Sequence, residues 1–186
     1  AYSLFMQFKY DEAIPLYEKL IAQGFDNFES NFILGLCYED QPDNEKALKH
    51  YQKAVQFKSD NATCLFHLAL VEKAFNMDSL SMAHFNQSLE VSLPKGRALR
   101  TYKWLADLHF QHHRYADAAR DFELCILYDE EDNPLNYYNA AQMFIASKNK
   151  LKAKLYLQMF LANANRLEDK KEAAQLISKA KEQLKQ

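Results

Sequence analysis

The spacing of small and aromatic residues is the feature that most constrains the fold of this chain. Segment 31–54 carries two apolar stripes at three- and four-residue steps, separated by a short polar turn. The two stripes are Leu34, Gly35 and Tyr38, followed by Ala47, Tyr51 and Ala54. Two helices joined in this way form an αα-hairpin. A hairpin this small cannot bury both stripes alone, so it requires neighbouring hairpins of the same kind.

The same stripes recur along the chain at a nearly constant offset. A shift of 34 residues carries Tyr51 back to Tyr17 and forward to Phe85, and further shifts of 37 and 35 reach Phe122 and Leu157. The same shifts connect a set of small residues: Ala13, Ala47, Ser81, Ala118 and Ala153. Small residues are needed where helices approach closely, and large residues where hairpins stack. The sequence therefore predicts a stack of helical hairpins.

The pattern resembles that of the tetratricopeptide-repeat (TPR) superfamily, with a Leu-small-x-x-Tyr run followed by Ala-x-x-x-aromatic-x-x-Ala. The resemblance covers almost the whole chain and implies an all-α fold. That fold is a right-handed α-α superhelix (TPR solenoid) of about four and a half helix-turn-helix repeats, plus a C-terminal capping helix. We expect one solenoid domain over 1–186, with a capping helix over 167–185. The repeats are expected at about 1–25 (partial), 28–59, 61–93, 98–131 and 134–166.

Proline, glycine and polar residues predict where individual helices begin and end. Pro15 predicts that the second helix starts late or kinks, and Gly24 is expected to end it. Asp43 or Asn44 is expected to cap the helix that begins at Glu45. Segment 94–97 contains a Pro and a Gly and predicts a turn, whereas Pro134 is well placed at a helix start.

Composition agrees with a nearly all-helical protein and excludes several functional classes. The 186 residues include only three Gly and four Pro, and 48% are hydrophobic. The 23 basic and 25 acidic residues leave a formal net charge of −2 without a basic block, so the chain has no electrostatic footprint for nucleic acid. No apolar run approaches the roughly 20 residues of a membrane span.

The cysteines and the first residues bear on the cellular compartment. Cys37, Cys64 and Cys125 lie in different repeats without the close pairing of a zinc site or redox motif, so we expect buried free thiols. This usage slightly favours the cytoplasm. Ala1 aligns with Gly35, so half of the first helix is missing from the pattern, and a preceding signal for a periplasmic or secreted location stays open.

Catalysis, cofactors and metals have little support in the sequence. His109 and His113 form an i, i+4 pair, but His109 stands at a packing position, and His112 and His113 stand in a turn. No acidic or nucleophilic residue lies at a sequence spacing from His67 or His84 that would indicate a catalytic pair. No phosphate loop or nucleophile motif is present. We therefore expect no enzymatic activity, no cofactor and no metal site.

In TPR proteins the first helix of each hairpin lines an inner groove with residues that are not used for hairpin packing. The equivalent positions here are apolar in the second and third repeats, charged in the fourth, and apolar again in the fifth. The candidate partner-binding groove consists of Phe32, Leu36, Phe66, Leu70, Lys73, Arg100, Lys103, Asp107, Phe110, Leu135, Tyr138, Gln142 and Ile145. Some family members bind a chaperone tail through a clamp of Lys, Arg and Asn at such positions. That clamp is absent here.

The resemblance and these residues predict a non-catalytic protein–protein interaction scaffold. An apolar and aromatic groove would bind an extended or helical peptide segment of a partner protein. We expect Phe66→Glu and Tyr138→Glu to leave the helix content intact while reducing partner binding.

Two alternatives stay open at this point. Phe32 and Phe66 could instead pack against the next hairpin, or a tight superhelix could close over them. The chain could also be a structural component, self-assembling or part of a multi-protein complex, that uses its open first repeat. That repeat, with Leu4, Phe5 and Phe8 exposed, would stack on another copy to form a homo-oligomer or on missing N-terminal repeats.

Overall fold

A computed structural model describes residues 1–185, and this part of the chain contains eleven α-helices, one short 3-10 helix and no β-strand. The helices are α1 (Tyr2–Met6), α2 (Tyr10–Ala22), α3 (Phe28–Asp40), α4 (Asn44–Phe57), α5 (Ala62–Ala74), α6 (Asp78–Glu90), α7 (Lys95–Gln111), α8 (Tyr115–Tyr128), α9 (Pro134–Ala146), α10 (Lys150–Asn163) and α11 (Lys170–Gln183), and the 3-10 helix is Ala164–Arg166. The predicted all-α helical-repeat fold is confirmed.

The helices form two compact units, Ala1–Leu93 and Pro94–Gln186. In the first unit, α3 pairs with α4 and α5 with α6. In the second unit, α7 pairs with α8 and α9 with α10. These four pairs are the hairpins that the stripes predict. The assignment of all 186 residues to one solenoid domain stays a prediction.

The core of the first unit is built around the fully buried ring of Tyr51 in α4. A methyl group added at Gly35 in α3 would lie 2.5 Å from two carbon atoms of that ring, so only glycine fits at this position. Leu34 and Ala47 are also fully buried beside them. The recurrence of small and aromatic residues therefore reflects helices in close contact.

In the second unit, small residues bring the helices of each hairpin together. Ala106 of α7 and Ala118 of α8 are fully buried, and Ala141 of α9 is buried in the same way. Phe160 of α10 is fully buried in a cluster that also contains Ala180 of α11. The last helix thus covers the apolar side of the fifth repeat, as the resemblance implies for a capping helix.

The turns inside four of the hairpins share one backbone conformation. A left-handed residue occupies the equivalent position in four turns, at Phe8, Asn76, His113 and Lys148, with φ between 57° and 62°. The next residue then donates its backbone N–H to a carbonyl five residues earlier, as Arg114 does to His109 at 2.8 Å. This bond satisfies a carbonyl at the end of the first helix.

Helix ends agree with the sequence in most places. Asp43 caps α4 by accepting a hydrogen bond from the Lys46 N–H at 3.1 Å, and Pro134 is the first residue of α9. Gly24, with φ of +96°, follows the end of α2.

One alternative for Pro15 is excluded, and one local prediction was wrong. Helix α2 begins at Tyr10 and continues through Pro15, so it does not start late, while a kink at Pro15 stays a prediction. Segment 94–97 is not a turn, because α7 begins at Lys95 and includes Gly96 in its first turn. A glycine near a helix start costs little when the helix continues for several turns on buried apolar contacts.

Each complete hairpin also contains one side-chain pair that joins its two helices, formed by residues 12 positions apart. In two hairpins the pair is a ring stack, Tyr38 with His50 and Phe144 with Tyr156, with ring centroids 5.6 and 5.4 Å apart. In the other two it is a histidine beside a carboxylate. His84 Nδ1 lies 2.7 Å from Glu72 Oε2, and His109 Nδ1 lies 2.6 Å from Asp121 Oδ2.

These pairs correct the interpretation of two histidines. His84 faces the carboxylate of Glu72, and His67 Nδ1 lies 2.9 Å from Oε2 of Glu39, so both have acidic partners. The partners were missed because they lie on different helices, 12 and 28 residues away.

Candidate functional site

Phe66 must be removed from the predicted groove. Its side chain is only 2% exposed, and its ring lies 6.0 Å from that of Phe85 in α6 and 5.4 Å from that of His67. A residue that is buried within its own hairpin cannot contact a partner. Phe66→Glu is therefore expected to disrupt the fold, contrary to the expectation from the sequence.

Phe32 has a mixed environment. Its ring stacks on that of Phe28 at 5.5 Å and lies 6.2 Å from Tyr51 and 6.4 Å from His67. It is half-buried, so one part of the ring packs α3 against α4 and α5 while the rest stays accessible. Phe32 therefore packs in part against the next hairpin, through His67, whereas Phe66 is buried within its own hairpin.

Leu36 lines an open depression of about 320 Å³ in the first unit. The other lining residues are Phe5, Tyr10, Glu39, Asp40 and His67. Glu39 is held in place because its Oε2 accepts a hydrogen bond from the Tyr51 hydroxyl at 2.5 Å. Burial, together with the negative charge of Asp40, raises the pKa of Tyr10, which therefore stays protonated at neutral pH. The depression has an apolar floor and an acidic edge.

Phe110 lines the corresponding depression of the second unit, which has a volume of about 180 Å³. The remaining lining residues are Lys103, Ala106, Asp107, Phe122, Asn139 and Met143. Phe110 is 48% exposed, and Lys103 is exposed about two turns earlier on the same helix. Asp107 accepts a hydrogen bond from the Gln111 side chain at 3.0 Å. Apolar and charged predicted groove residues are thus brought together here.

The predicted groove residues of the fifth repeat lie beside the C-terminal segment instead of on a free surface. Gln142 and Gln183 of α11 exchange side-chain hydrogen bonds of 2.9 and 3.0 Å. Tyr138 packs with its ring 5.1 Å from that of Phe160, in the cluster that contains α11 residues. Leu135 lines a cavity with Arg166 and Leu167 to Asp169.

Ile145, 40% exposed, lines another cavity with Leu184 of α11. Gln142 and Tyr138 are thus already used in contacts within the unit, so they do not form a free groove surface. Leu70 and Lys73 in the first unit are half-buried, whereas Arg100 in the second is exposed.

Several lining residues were not predicted from the sequence. Asn139 and Met143 lie on α9, the first helix of the hairpin after that of Phe110, and His67 lies on α5, the first helix of the hairpin after that of Leu36. They were missed because only one face of each first helix was considered. Asn139 and Met143 are four residues apart, which is the one sequence signal that could have indicated a shared helical face.

The N-terminal apolar residues are only partly exposed. Leu4 and Phe5 are half-buried against the core of the first unit, whereas Phe8 is 78% exposed. The open surface expected for self-stacking is therefore smaller than the sequence suggests.

The cysteines are free and fully buried, as expected. Burial raises the pKa of the Cys37 thiol to about 11 and those of Cys64 and Cys125 to about 12, so they are protonated and unreactive at neutral pH. Residues 1–185 contain no group of three or more His, Cys, Asp and Glu side chains arranged to hold a metal ion. Among the described helices none is long and apolar enough to cross a membrane.

Known proteins resemble this chain in sequence and in fold. Residues 6–77 match the model of the family described as anaphase-promoting complex, cyclosome, subunit 3. DnaJ homolog subfamily C member 3 from Gallus gallus is 24% identical over 144 residues, which is 73% of this chain but only 28% of that protein. The chain thus spans little more than a quarter of this curated relative.

Solved structures show the same fold at low identity. MamA matches with a TM-score of 0.71 and 15% identity over 88% of this chain and 94% of its own. The APC/C hetero-tetramer Cut9-Hcn1 matches with a TM-score of 0.62 and 16% identity over 96% of this chain and 34% of that chain. These similarities show a helical-repeat fold of the tetratricopeptide-repeat kind. Proteins with this fold commonly serve as protein–protein interaction scaffolds.

Proposed function

We propose that this chain is a non-catalytic interaction module that binds a peptide segment of a partner protein on the inner faces of its first helices. The proposal rests mainly on the depression around Phe110. An aromatic side chain that is nearly half exposed, with further apolar residues beneath it, gains free energy when a partner covers it.

The charges around this depression suit a peptide better than a small molecule. Lys103 and Asp107 carry opposite charges at one edge, and Asn139 adds an amide that both donates and accepts hydrogen bonds. A peptide backbone needs both kinds of partner, and the charged pair would fix its direction. At about 180 Å³ the depression fits one or two side chains and is below the usual volume of small-molecule sites.

The depression around Leu36 supports the same function in the first unit. Its apolar floor of Phe5, Tyr10 and Leu36 lies beside two carboxylates, Glu39 and Asp40. This edge favours a segment that carries a basic residue next to an apolar one. The two units thus offer surfaces of different charge.

The test is affinity capture from a lysate of the source organism with wild-type protein and two variants. Phe110→Glu places a charge in the depression, whereas Leu127→Glu makes the same kind of change at a 75% exposed leucine outside it. Circular dichroism first confirms that both variants are folded. We expect wild type and Leu127→Glu to retain a protein that Phe110→Glu loses. Identical captured sets for all three proteins would contradict the proposal.

A further inference from the structure

A cavity of about 430 Å³ lies between the start of α10 and the end of α11. Its apolar wall consists of Ile145, Ala153, Leu157 and Leu184. Leu157 is buried in the core, while Ile145 and Leu184 remain partly accessible. The volume falls within the range of ligand sites and suits one or two aliphatic side chains.

Three lysines surround this apolar wall: Lys148 in the turn, and Lys150 and Lys154 one helical turn apart in α10. No acidic residue is among those that line the cavity in the described part of the chain. Within residues 1–185 none of the three lysines forms a salt bridge. The edge of the cavity is therefore positively charged without an internal counter-charge.

Lys152, between them in sequence, behaves differently. Its Nζ lies 2.8 Å from Oε1 of Glu123 and 5.0 Å from the centroid of the Phe144 ring, and it does not line the cavity. The chain thus pairs the one lysine that points away from the cavity. It leaves the three that border the cavity unpaired.

The unpaired lysines lower the stability of α10, so folding does not explain their positions. Lys150 and Lys154 are like charges four residues apart, and such a pair slightly destabilises a helix. The N-terminus of α10 itself is not the binding group, because the Asn149 side chain already accepts a hydrogen bond from the Lys152 N–H at 3.1 Å. An anionic ligand would instead be held by the lysine side chains.

We propose that this cavity binds an acidic peptide segment of a partner protein, which inserts an aliphatic side chain between α10 and α11. The carboxylates of the segment pair with Lys148, Lys150 and Lys154, and the inserted side chain covers Ile145 and Leu184. The site goes beyond the groove proposed above, since it uses other side chains except for Ile145, which stays unchanged in the test.

The test is a selection of random displayed peptides on the full chain, followed by fluorescence anisotropy of the selected peptides. We expect sequences that combine Asp or Glu with Leu, Ile or Val. The variant Lys148→Gln, Lys150→Gln, Lys154→Gln should weaken their binding about tenfold or more. Lys152→Gln is the matched control and should change it by less than about twofold. Replacing the aliphatic residue of the peptide by Ser should also weaken binding.

Several results would overturn this proposal. They are a selection that yields no acidic and aliphatic peptides, equal binding by the triple variant, and equal binding by the Ser-substituted peptide. Self-association in sedimentation velocity that the triple variant alone loses would make a second copy the occupant. Binding to phosphatidylserine vesicles that the triple variant alone loses would assign the lysines to a membrane surface. If the two sites are distinct, Phe110→Glu does not weaken binding of the selected peptides. A negative result for this cavity can therefore be told apart from a negative result for the groove proposed above.

Discussion

Gly35→Ala is the sharpest test of the packing described above. The added Cβ would lie 2.5 Å from Cδ1 and Cε1 of Tyr51 and 3.0 Å from its Cζ. Carbon atoms in favourable contact are about 3.5–4.0 Å apart. The ring cannot easily move away, because it is fully buried, its hydroxyl donates to Glu39 at 2.5 Å, and it stacks on His67 with centroids 5.9 Å apart.

Two opposing effects set the magnitude. Alanine is favoured over glycine in a helix interior by about 0.5–1 kcal/mol. Overpacking of a close-packed core costs about 1–3 kcal/mol, and loss of the hydrogen bond to Glu39 as the Tyr51 ring shifts adds about 1.5–3 kcal/mol. We therefore expect Gly35→Ala to lower the free energy of unfolding by about 2–4 kcal/mol.

The assay is guanidinium unfolding followed by circular dichroism. Ala69→Gly, at the equivalent position of the next hairpin, is the control and should cost about 2 kcal/mol, from the helix-propensity difference and the loss of a buried methyl group. In a Tyr51→Leu background the ring is gone, so Gly35→Ala should become neutral or stabilising. Stability of Gly35→Ala equal to or above that of wild type, or no coupling between the two positions, would refute the reasoning.

Four further changes test other parts of the structure. Tyr51→Ala should lower the free energy of unfolding by about 3–5 kcal/mol, measured by chemical denaturation, because it empties a fully buried site. Phe66→Glu should lose helical circular dichroism at 25 °C, because it places a charge in the core. His113→Gly should raise the free energy of unfolding by about 0.5–1 kcal/mol by relieving a left-handed residue at φ of 58°. Burial raises the pKa of Asp121 to about 6 from 3.8 against the opposing effect of His109, so the native state binds the proton more tightly than the unfolded state. The contribution of Asp121 to stability therefore falls as pH rises from about 4 to about 6. Across that range, denaturation curves should show the free energy of unfolding of Asp121→Asn increasing relative to that of wild type.

The fold could be predicted from the sequence because the size of a residue repeats wherever helices touch. Gly35, Ala69, Ala106 and Ala141 are all fully buried small residues, and each shift of the pattern leads to a closely packed helix. Size at a fixed period is a property of the sequence alone. Hairpins, capping residues and the C-terminal helix follow from it.

The candidate site was less predictable because an aromatic residue at helical spacing suits both packing and binding. Phe32, Phe66 and Phe110 differ in exposure, although all were placed in the groove by the same shifts. What differs is how far a neighbour covers the ring, since Phe85 lies against the fully buried Phe66. By contrast, Phe110 stays 48% exposed although the ring of Tyr115 lies 6.0 Å away. Which neighbour covers a ring depends on how neighbouring helices are rotated, and a one-helix pattern does not contain that information.

The side-chain pairs 12 residues apart show how one structural requirement can be met by different chemistry. A ring stack such as Phe144 with Tyr156 needs two flat side chains and no charge. In the hairpin of α5 and α6, Glu72 on the first helix faces His84 on the second. In the hairpin of α7 and α8, His109 on the first helix faces Asp121 on the second. The acid and the base therefore exchange helices between the two hairpins.

A carboxylate that is only 1% exposed, as in Glu72, is tolerable because its partner satisfies it. Removing one member of such a pair leaves a buried charge unpaired and costs about 3–5 kcal/mol. Loss of one ring from a stack costs the area it buried and an aromatic contact of about 0.5–1.5 kcal/mol. The polar residue at this packing position of the hairpin of α5 and α6 is therefore one half of a pair.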